Sequence, residues 1–552
     1  MTAEVGKPPM SSAVSPWAPL KRPTFRLLWS ASVLSGVGTW IHDVGAAWLM
    51  TDLTPSPLMV SLVQTASTLP VLLLALPAGV LADVFDRRHV LLFAQLWMAV
   101  AAALLATAVL TGAATAPVVL LLLFALGIGN ALTGPAWQAI VPELVEPREV
   151  AGAVALNSAG INVARAVGPA IGGVIVAALG PAAAFIANAL TFLGVSGALA
   201  SWSRTSAQSD VPPEPIGMAL RTGVRYVRHD AGLVAVLVRT LVFMSCGSAL
   251  WALLPIVGRR LLGVSALGYG MMLGAIGVGA LIATALLSRW RAAIGAERLV
   301  RLATVVYAGV LLVIATSRNY FLLCAVLVVA GMAWLALLST FQTAAQLSVP
   351  SWVRGRALAT YLMIFFGGQA AGSLLWGILA DRTNVPLAFI VAAGGLLAGL
   401  VLAPWYALDS TTRHDRTPSQ HWPTHAADLV PASERTTREV TVMTTYIVDE
   451  SDVAAFVVAM DDLRHARLRG GAHRWTLQRD LEQSTVFVEW FSVPSWDEHL
   501  RQHDRVTGSD RDIQERVRRF HRGDNAPQVR HFVGVVPTDY HGFHGMAPKQ
   551  QE

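Results

Sequence analysis

The stretch Gly79-Val80-Leu81-Ala82-Asp83-Val84-Phe85-Asp86-Arg87-Arg88-His89-Val90-Leu91-Leu92 places two acids, two arginines and a histidine between two long apolar runs. Those charges belong in water or among lipid headgroups, so the runs on either side must reach the same membrane face and turn there. The whole chain agrees with a membrane setting. Its 552 residues are 54% hydrophobic and only 14% charged, a composition that would leave large apolar areas exposed on a water-soluble globule. The N-terminal segment, with Lys7, Pro8, Pro9, Lys21 and Arg22, lacks the short apolar core and small-residue cleavage site of a removed leader. The two cysteines, Cys246 and Cys324, fall inside apolar runs, which supports neither a disulfide framework nor a thiolate site.

A bilayer core about 30 Å thick requires roughly 20 apolar residues per helix. Runs of that kind are read at 27–50, 58–81, 89–111, 117–140, 152–179, 182–202, 233–257, 267–288, 299–316, 320–346, 357–379 and 386–406, which predicts twelve spans. Loop charges orient them. Lys21, Arg22 and Arg26, Arg87 and Arg88, Arg148, Arg204, Arg221, Arg225 and Arg228, Arg289, Arg291, Arg298 and Arg301, and Arg354 and Arg356 all fall on one side. Arg259, Arg260, Arg318 and Arg382 are exceptions on the other. Both termini are therefore expected in the cytoplasm. An offset of 204 residues aligns Gly127 with Gly331, Trp137 with Phe341 and Gln138 with Gln342, as two parallel six-helix repeats would.

The opening stretch resembles the loop signature of the major facilitator superfamily of secondary transporters, Gly-x-Leu-Ala-Asp-x-x-Gly-Arg-Lys. Gly79, Leu81, Ala82, Asp83, Arg87 and Arg88 fill the matching positions, and Asp86 stands where the pattern has its second glycine. The resemblance implies an all-α membrane fold of twelve helices in two six-helix repeats. It also implies that Asp83 is a gating latch on the cytoplasmic side with Arg87 and Arg88 as partners; the competing reading is a plain topogenic loop. Because Asp86 replaces a glycine, the turn must be wider or differently capped.

Gly168-Pro169-Ala170-Ile171-Gly172-Gly173 in the fifth span is similar to the superfamily's antiporter motif, Gly-Pro-x-x-Gly-Gly, found in exporters. Small residues let helices approach closely, and the proline removes a backbone donor and bends its helix. Ala164 stands at one of the full motif's upstream glycines. Gly127-Ile128-Gly129-Asn130-Ala131 is similar to the end of a further motif, but Leu123 stands where a proton-coupling arginine would be. Gly38-Thr39-Trp40 and Leu53-Thr54-Pro55-Ser56-Pro57, with Asp86, are similar to the enterobactin-exporter-like branch of siderophore and drug exporters.

Arg165 lies mid-span, where an unpaired arginine costs about 2.5–3.5 kcal/mol on insertion scales, so it is expected to face a cavity and a partner. Asp43 is the acid available in the spans of that half. An Asp43–Arg165 pair broken by protonation would couple export to inward proton flow; alternatively Asp43 sits at the outer interface and Arg165 bonds carbonyls or Asn162. Arg239, near the inner end of its span, is read as snorkelling. Asn130, Gln138, Asn157, Asn162, Gln342, Gln346 and Gln369 are polar groups in apolar spans, candidates for the substrate cavity or for joining helices.

After Tyr406 the composition changes to Thr, Pro, His and Ser, which reads as a flexible linker. From Val440 a soluble pattern follows: strand 440–448, helix 452–469, strands 474–479 and 486–491, helix 496–520 and strand 529–535. The order β-α-β-β-α-β is that of a ferredoxin-like sandwich, similar in element order to antibiotic-biosynthesis monooxygenase domains, which pair through their sheets. His499 and His503 have a spacing that can bind a metal, but no Glu or Cys accompanies them in a recognised motif and charged neighbours suggest a solvated face, so no metal site and no cofactor are expected. The predicted organisation is a six-helix bundle (1–202), a cytoplasmic linker (203–232), a second bundle (233–406), a flexible linker (407–439), the soluble domain (440–540) and a tail (541–552). A nucleotide-binding Gly-x4-Gly-Lys-Ser/Thr loop does not occur. The expected function is proton-coupled export of a small organic molecule across the cytoplasmic membrane, with homodimerisation through the soluble domain as an option. An importer and a membrane-anchored enzyme are the alternatives.

Overall fold

In a computed structural model of the chain, the described residues are 15, 17–202, 226–350, 352–408 and 438–534, with the side chains of 76, 80, 82–84 and 504 excepted. Most of both linkers and the whole tail lie outside them. Twelve long helices occur among the described residues: α1 Pro23–Leu53, α2 Pro57–Val84, α3 Arg87–Leu110, α4 Ala116–Ile140, α5 Val150–Leu179, α6 Pro181–Ser201, α7 Ala231–Ile256, α8 Ala266–Ile294, α9 Ala296–Thr316, α10 Tyr320–Leu347, α11 Arg354–Arg382 and α12 Val385–Gly399. Eleven are long and apolar enough to cross a membrane. The 31-residue α1 is the one outside that set; its serines and glycines and its His42–Asp43 pair dilute an otherwise apolar sequence.

Helix boundaries follow local chemistry. Proline occupies the first turn of α1, α2, α4, α6 and α12, where its missing N–H leaves no intrahelical bond unmade. Ser56, Ser265 and Asn384 accept from backbone amides three residues on and so cap α2, α8 and α12. Gly180 (φ 81°) and Gly295 (φ 78°) make the tight turns from α5 to α6 and from α8 to α9, in a left-handed conformation that side chains disfavour.

The repeat visible at an offset of 204 has a structural counterpart. A Cβ on Gly127 of α4 would lie 2.8 Å from the Ser67 carbonyl of α2, and one on Gly331 of α10 would overlap the Ile276 carbonyl of α8. Helices at equivalent places in the two halves therefore cross at equivalent glycines, which bring backbones within van der Waals reach.

The chain divides into two compact units. One holds the helices through 202, 238–342 and 361–405. The other comprises described residues 226–237, 343–360 and the segment after 406. In the second unit β1 (Val440–Ile447), α13 (Val453–Gly470), β2 (Arg474–Arg479), β3 (Val486–Val493), α14 (Trp496–Asp504), α15 (Gly508–Arg518) and β4 (Gln528–Val533) follow in order. The strands form one antiparallel sheet in the order β2-β3-β1-β4. Alternate residues of β1 are buried, and Tyr446, Phe456, Met460, Leu463, Phe487 and Val517 make the core between sheet and helices. The helix expected over 496–520 is two helices: Thr507 caps α15 by accepting from Asp510 N, and Asp510 answers through the Thr507 amide. That reciprocal cap starts a new helix instead of continuing the old one. In the same unit Arg505 lies over the Trp352 ring at 4.5 Å, and Trp352 meets Tyr226 edge-on at 5.6 Å. The C-terminal α/β segment thus touches the segment between α10 and α11 within this unit.

Candidate functional site

At the start of α3, Asp86 takes over the turn that a glycine would otherwise make. Its Oδ1 accepts from Arg88 N (2.8 Å) and His89 N (3.3 Å), capping the helix. Arg87 Nη1 donates to Glu143 Oε1 at 2.6 Å. Arg88 donates to the carbonyls of Leu199 and Ala200 at the end of α6, each at 2.8 Å. Asp83 lies in the last turn of α2, and its side chain is outside the described residues. Arg22, just before α1, bridges Glu149 (2.5 Å) and Glu146 (2.5 Å), and its hydrogen bonds hold both carboxyls below the ordinary range. These bonds of Arg87, Arg88 and Arg22 run to residues of the first six helices and their connections. Arg87 and Arg22 fasten the α4–α5 connection, whose acids Glu143, Glu146 and Glu149 were not singled out in the sequence, while Arg88 holds the end of α6.

The α5 motif lies where three helices meet. A Cβ on Gly168 would lie 2.5 Å from Trp40 Cβ, and one on Gly172 would lie 3.0 Å from Ile41 Cα, so this face of α5 packs on α1. A Cβ on Gly173 would lie 3.0 Å from both the Ala266 carbonyl and Gly270 Cα, and one on Gly277 would lie 2.5 Å from Ala166 Cα. Glycines on both α5 and α8 thereby allow the two halves to touch backbone to backbone.

Asp43 and Arg165 do not form an ion pair among the described contacts, contrary to the pairing considered from sequence. Arg165 instead stands over the Trp40 ring, with Cζ 6.0 Å from its centroid, about one turn of α1 before Asp43. Asp43 is exposed. Its neighbour His42 is buried against Phe185, ring centroids 4.7 Å apart, and neither ring nitrogen has a hydrogen-bond partner. Arg239 also departs from expectation: it is buried and donates to Glu297 Oε2 at 2.6 Å instead of snorkelling, while Arg301 donates to the other carboxylate oxygen at 2.6 Å. An acid in the first turn of α9, Glu297, was the missed signal.

Of the amide candidates, Asn130, Gln138, Gln342 and Gln346 are exposed, Asn162 is half-buried and Gln369 is buried. Asn157 accepts from Trp137 Nε1 at 3.3 Å, joining α5 to α4. Aromatic rings of both halves meet one another. Trp40 faces Trp251 (6.1 Å), Trp251 faces Trp334 (5.5 Å), and Phe243 lies 5.2 Å from Trp334. The Trp251 Nε1 is buried without a partner.

A second set of contacts joins the halves at the end of the helices where α1 gives way to α2. Arg259 pairs with Asp52 at 2.7 Å and lies over Trp48 at 4.8 Å. Arg260 donates to the carbonyls of Thr54 (2.6 Å) and Pro55, and Ser56 donates to Asp381 at 2.6 Å. Trp48 also stacks on Tyr269 at 5.9 Å. Arg259 and Arg260 were exceptions to the loop-charge rule, and here they have partners across the two halves.

Two repeated six-helix halves meeting along glycine-lined helix contacts define a multi-pass membrane transporter. A family profile described as "Transmembrane secretion effector" matches residues 14–538; the chain belongs to this family of major facilitator transporters, and is a transporter, not an enzyme. The matched range runs through the soluble domain. The chain is 26% identical over 374 residues to the staphyloferrin A transporter of Staphylococcus aureus (strain NCTC 8325 / PS 47), covering 66% of this chain and 92% of that protein. It is 26% identical over 416 residues to the multidrug efflux pump Tap of Mycolicibacterium fortuitum, covering 69% and 95%. Among solved structures, a bacterial homolog to the human lysosomal transporter Spinster, in an inward-facing and occupied conformation, aligns with a TM-score of 0.56 at 14% identity over 71% of this chain and 97% of that one. The POT family transporter PepTSo aligns with a TM-score of 0.57 at 12% identity over 71% and 98%. These two likenesses are of fold.

Proposed function

We propose that the protein exports a small organic molecule of the drug or siderophore class across the cytoplasmic membrane, as a proton antiporter working by alternating access, with both termini in the cytoplasm. The observation that carries this reading is the way the halves meet. The antiporter-like Gly168–Gly173 segment packs α5 on α8 through facing glycines, and the Asp52–Arg259 contact closes one end of the same seam. A seam built from small residues and a few polar contacts can open with little loss of packing. The similarity to a multidrug efflux pump favours export over import, and the similarity to a staphyloferrin A transporter favours a small organic substrate.

In this reading Gly79, Asp83, Arg87 and Arg88 gate the cytoplasmic side, while Gly168, Pro169, Gly172 and Gly173 form the pivot. Asp43 takes up the proton and Arg165, held over Trp40, acts on the same cavity. Asn130, Gln138, Asn157, Asn162, Gln342, Gln346 and Gln369 supply hydrogen bonds to substrate or between helices. The exposed amides favour a watered cavity wall, since an amide facing lipid has no partner there. The soluble domain pairs two copies through their sheets. The test is loss of the gene followed by measurement of cellular retention across siderophores, macrolides and dyes. Export expects higher retention of at least one compound; reduced uptake would point to an importer, and no change in any compound would overturn the proposed substrate classes.

A further inference from the structure

The soluble domain gathers three of its histidines at one edge of the sheet. His499 and His503 lie one turn apart on α14, with ring centroids 4.5 Å apart. His531 lies on β4 in register with Val442, a buried residue of the helix-facing side of β1, so it points toward the helices and not away from them. His499 Nε2 is 3.0 Å from His531 Nε2. His499 is only 2% exposed, yet its Nδ1 has no hydrogen-bond partner. Trp496 backs the pair, its ring 5.3 Å from His499 and 5.4 Å from His531.

We propose that His499, His531 and His503 form a binding site for a divalent transition-metal ion of the zinc class. Imidazole nitrogens suit zinc, copper and nickel, whereas magnesium and calcium take oxygen ligands. Two nitrogens bound to tetrahedral zinc at about 2.0–2.1 Å stand roughly 3.3 Å apart, so the His499–His531 pair needs to open by only about 0.3 Å. As the side chains stand, no three metal-binding groups converge among the described residues. His503 shares a helix face with His499, and its ring, 4.5 Å away, completes the set by giving up its present contacts when the metal binds. The nearby carboxylates are already committed to arginines. Glu489 is paired with Arg467 at 3.1 Å, and Glu498 is held by Arg501 at 3.0 Å and Arg505 at 2.5 Å, so the imidazole nitrogens and not these carboxylates are the ligands on offer. The competing account is that His499 and His531 share one proton and simply pack on Trp496.

Equilibrium dialysis of untagged full-length protein in detergent against micromolar Zn²⁺ distinguishes them. The wild type is expected to hold one equivalent that excess Mg²⁺ does not displace. His531→Ala, at an exposed edge strand, should weaken that binding by at least about tenfold, and His503→Ala should weaken it as well. A His541→Ala/His544→Ala variant should retain it. No bound zinc in the wild type, unchanged affinity in His531→Ala, or loss of the equivalent in the His541/His544 variant would each overturn the site. If His531→Ala shifts thermal unfolding in zinc-free buffer, His503→Ala decides the question, and wild-type affinity there would reject the three-histidine site.

Discussion

Glu297→Gln should destabilise the helical unit severely. The carboxylate sits between Arg239, whose side chain is 7% exposed, and Arg301, whose side chain is 48% exposed, with both contacts at 2.6 Å. Removing the charge leaves Arg239 buried without its anion, a change that costs about 3–5 kcal/mol. Arg301→Ala removes only the exposed partner, which is worth about 0–1 kcal/mol. The two variants should therefore differ by at least about 2 kcal/mol, close to thirtyfold in an equilibrium constant. Reversible denaturant unfolding in detergent micelles, followed by the tryptophans near Phe243, would measure the difference. A paired Arg239→Met/Glu297→Leu variant should recover most of the loss, because replacing both charges with apolar groups removes the desolvation cost together with the attraction. Equal stabilities for Glu297→Gln and Arg301→Ala would refute the reasoning, because they would mean that Arg239 finds water or another anion when Glu297 is neutral.

Asp83→Asn should slow transport while leaving insertion and abundance unchanged, since it removes a charge without changing apolar packing; normal transport would remove the latch assignment. Arg259→Met should loosen the Asp52 seam and raise cysteine labelling of a probe placed at Pro55 by several-fold, and unchanged labelling would show that the ion pair holds nothing closed. Asp43→Asn should flatten the pH dependence of transport, and an unaltered profile would return Asp43 to a passive place at the water interface.

The helical architecture was legible because apolar length and loop charge report on the bilayer directly. All twelve expected spans overlap helices, several of which begin earlier at Pro, Ser or Asn caps, whereas the eighth runs on to Ile294 and the last stops at Gly399, seven residues before the expected end. The soluble domain's strands were legible through alternation, as β1 illustrates, but the break between α14 and α15 depended on the Thr507–Asp510 cap, a local hydrogen-bond exchange hidden inside a helical pattern. Pairings were the least legible feature. Arg239–Glu297 joins residues 58 apart, and Asp52–Arg259 joins opposite halves, so neither leaves a local pattern. Arg165 illustrates the same limit: the need for a compensating partner could be read from its mid-span position, but its place over Trp40 depends on how α1 packs on α5. The histidine cluster was half visible, since His499 and His503 share a helix face, whereas His531 joins them only when β4 pairs with β1.

The most direct measurement of export is substrate uptake into everted membrane vesicles energised by a proton gradient, acid inside, with wild-type protein and Gly173→Leu compared at equal abundance. Proton-coupled export predicts gradient-dependent uptake of at least one siderophore, macrolide or dye, abolished by a protonophore and strongly reduced in Gly173→Leu, whose side chain would push α5 from α8. Wild-type uptake that persists unchanged without the gradient, or is absent for every compound while right-side-out vesicles accumulate them, would contradict it.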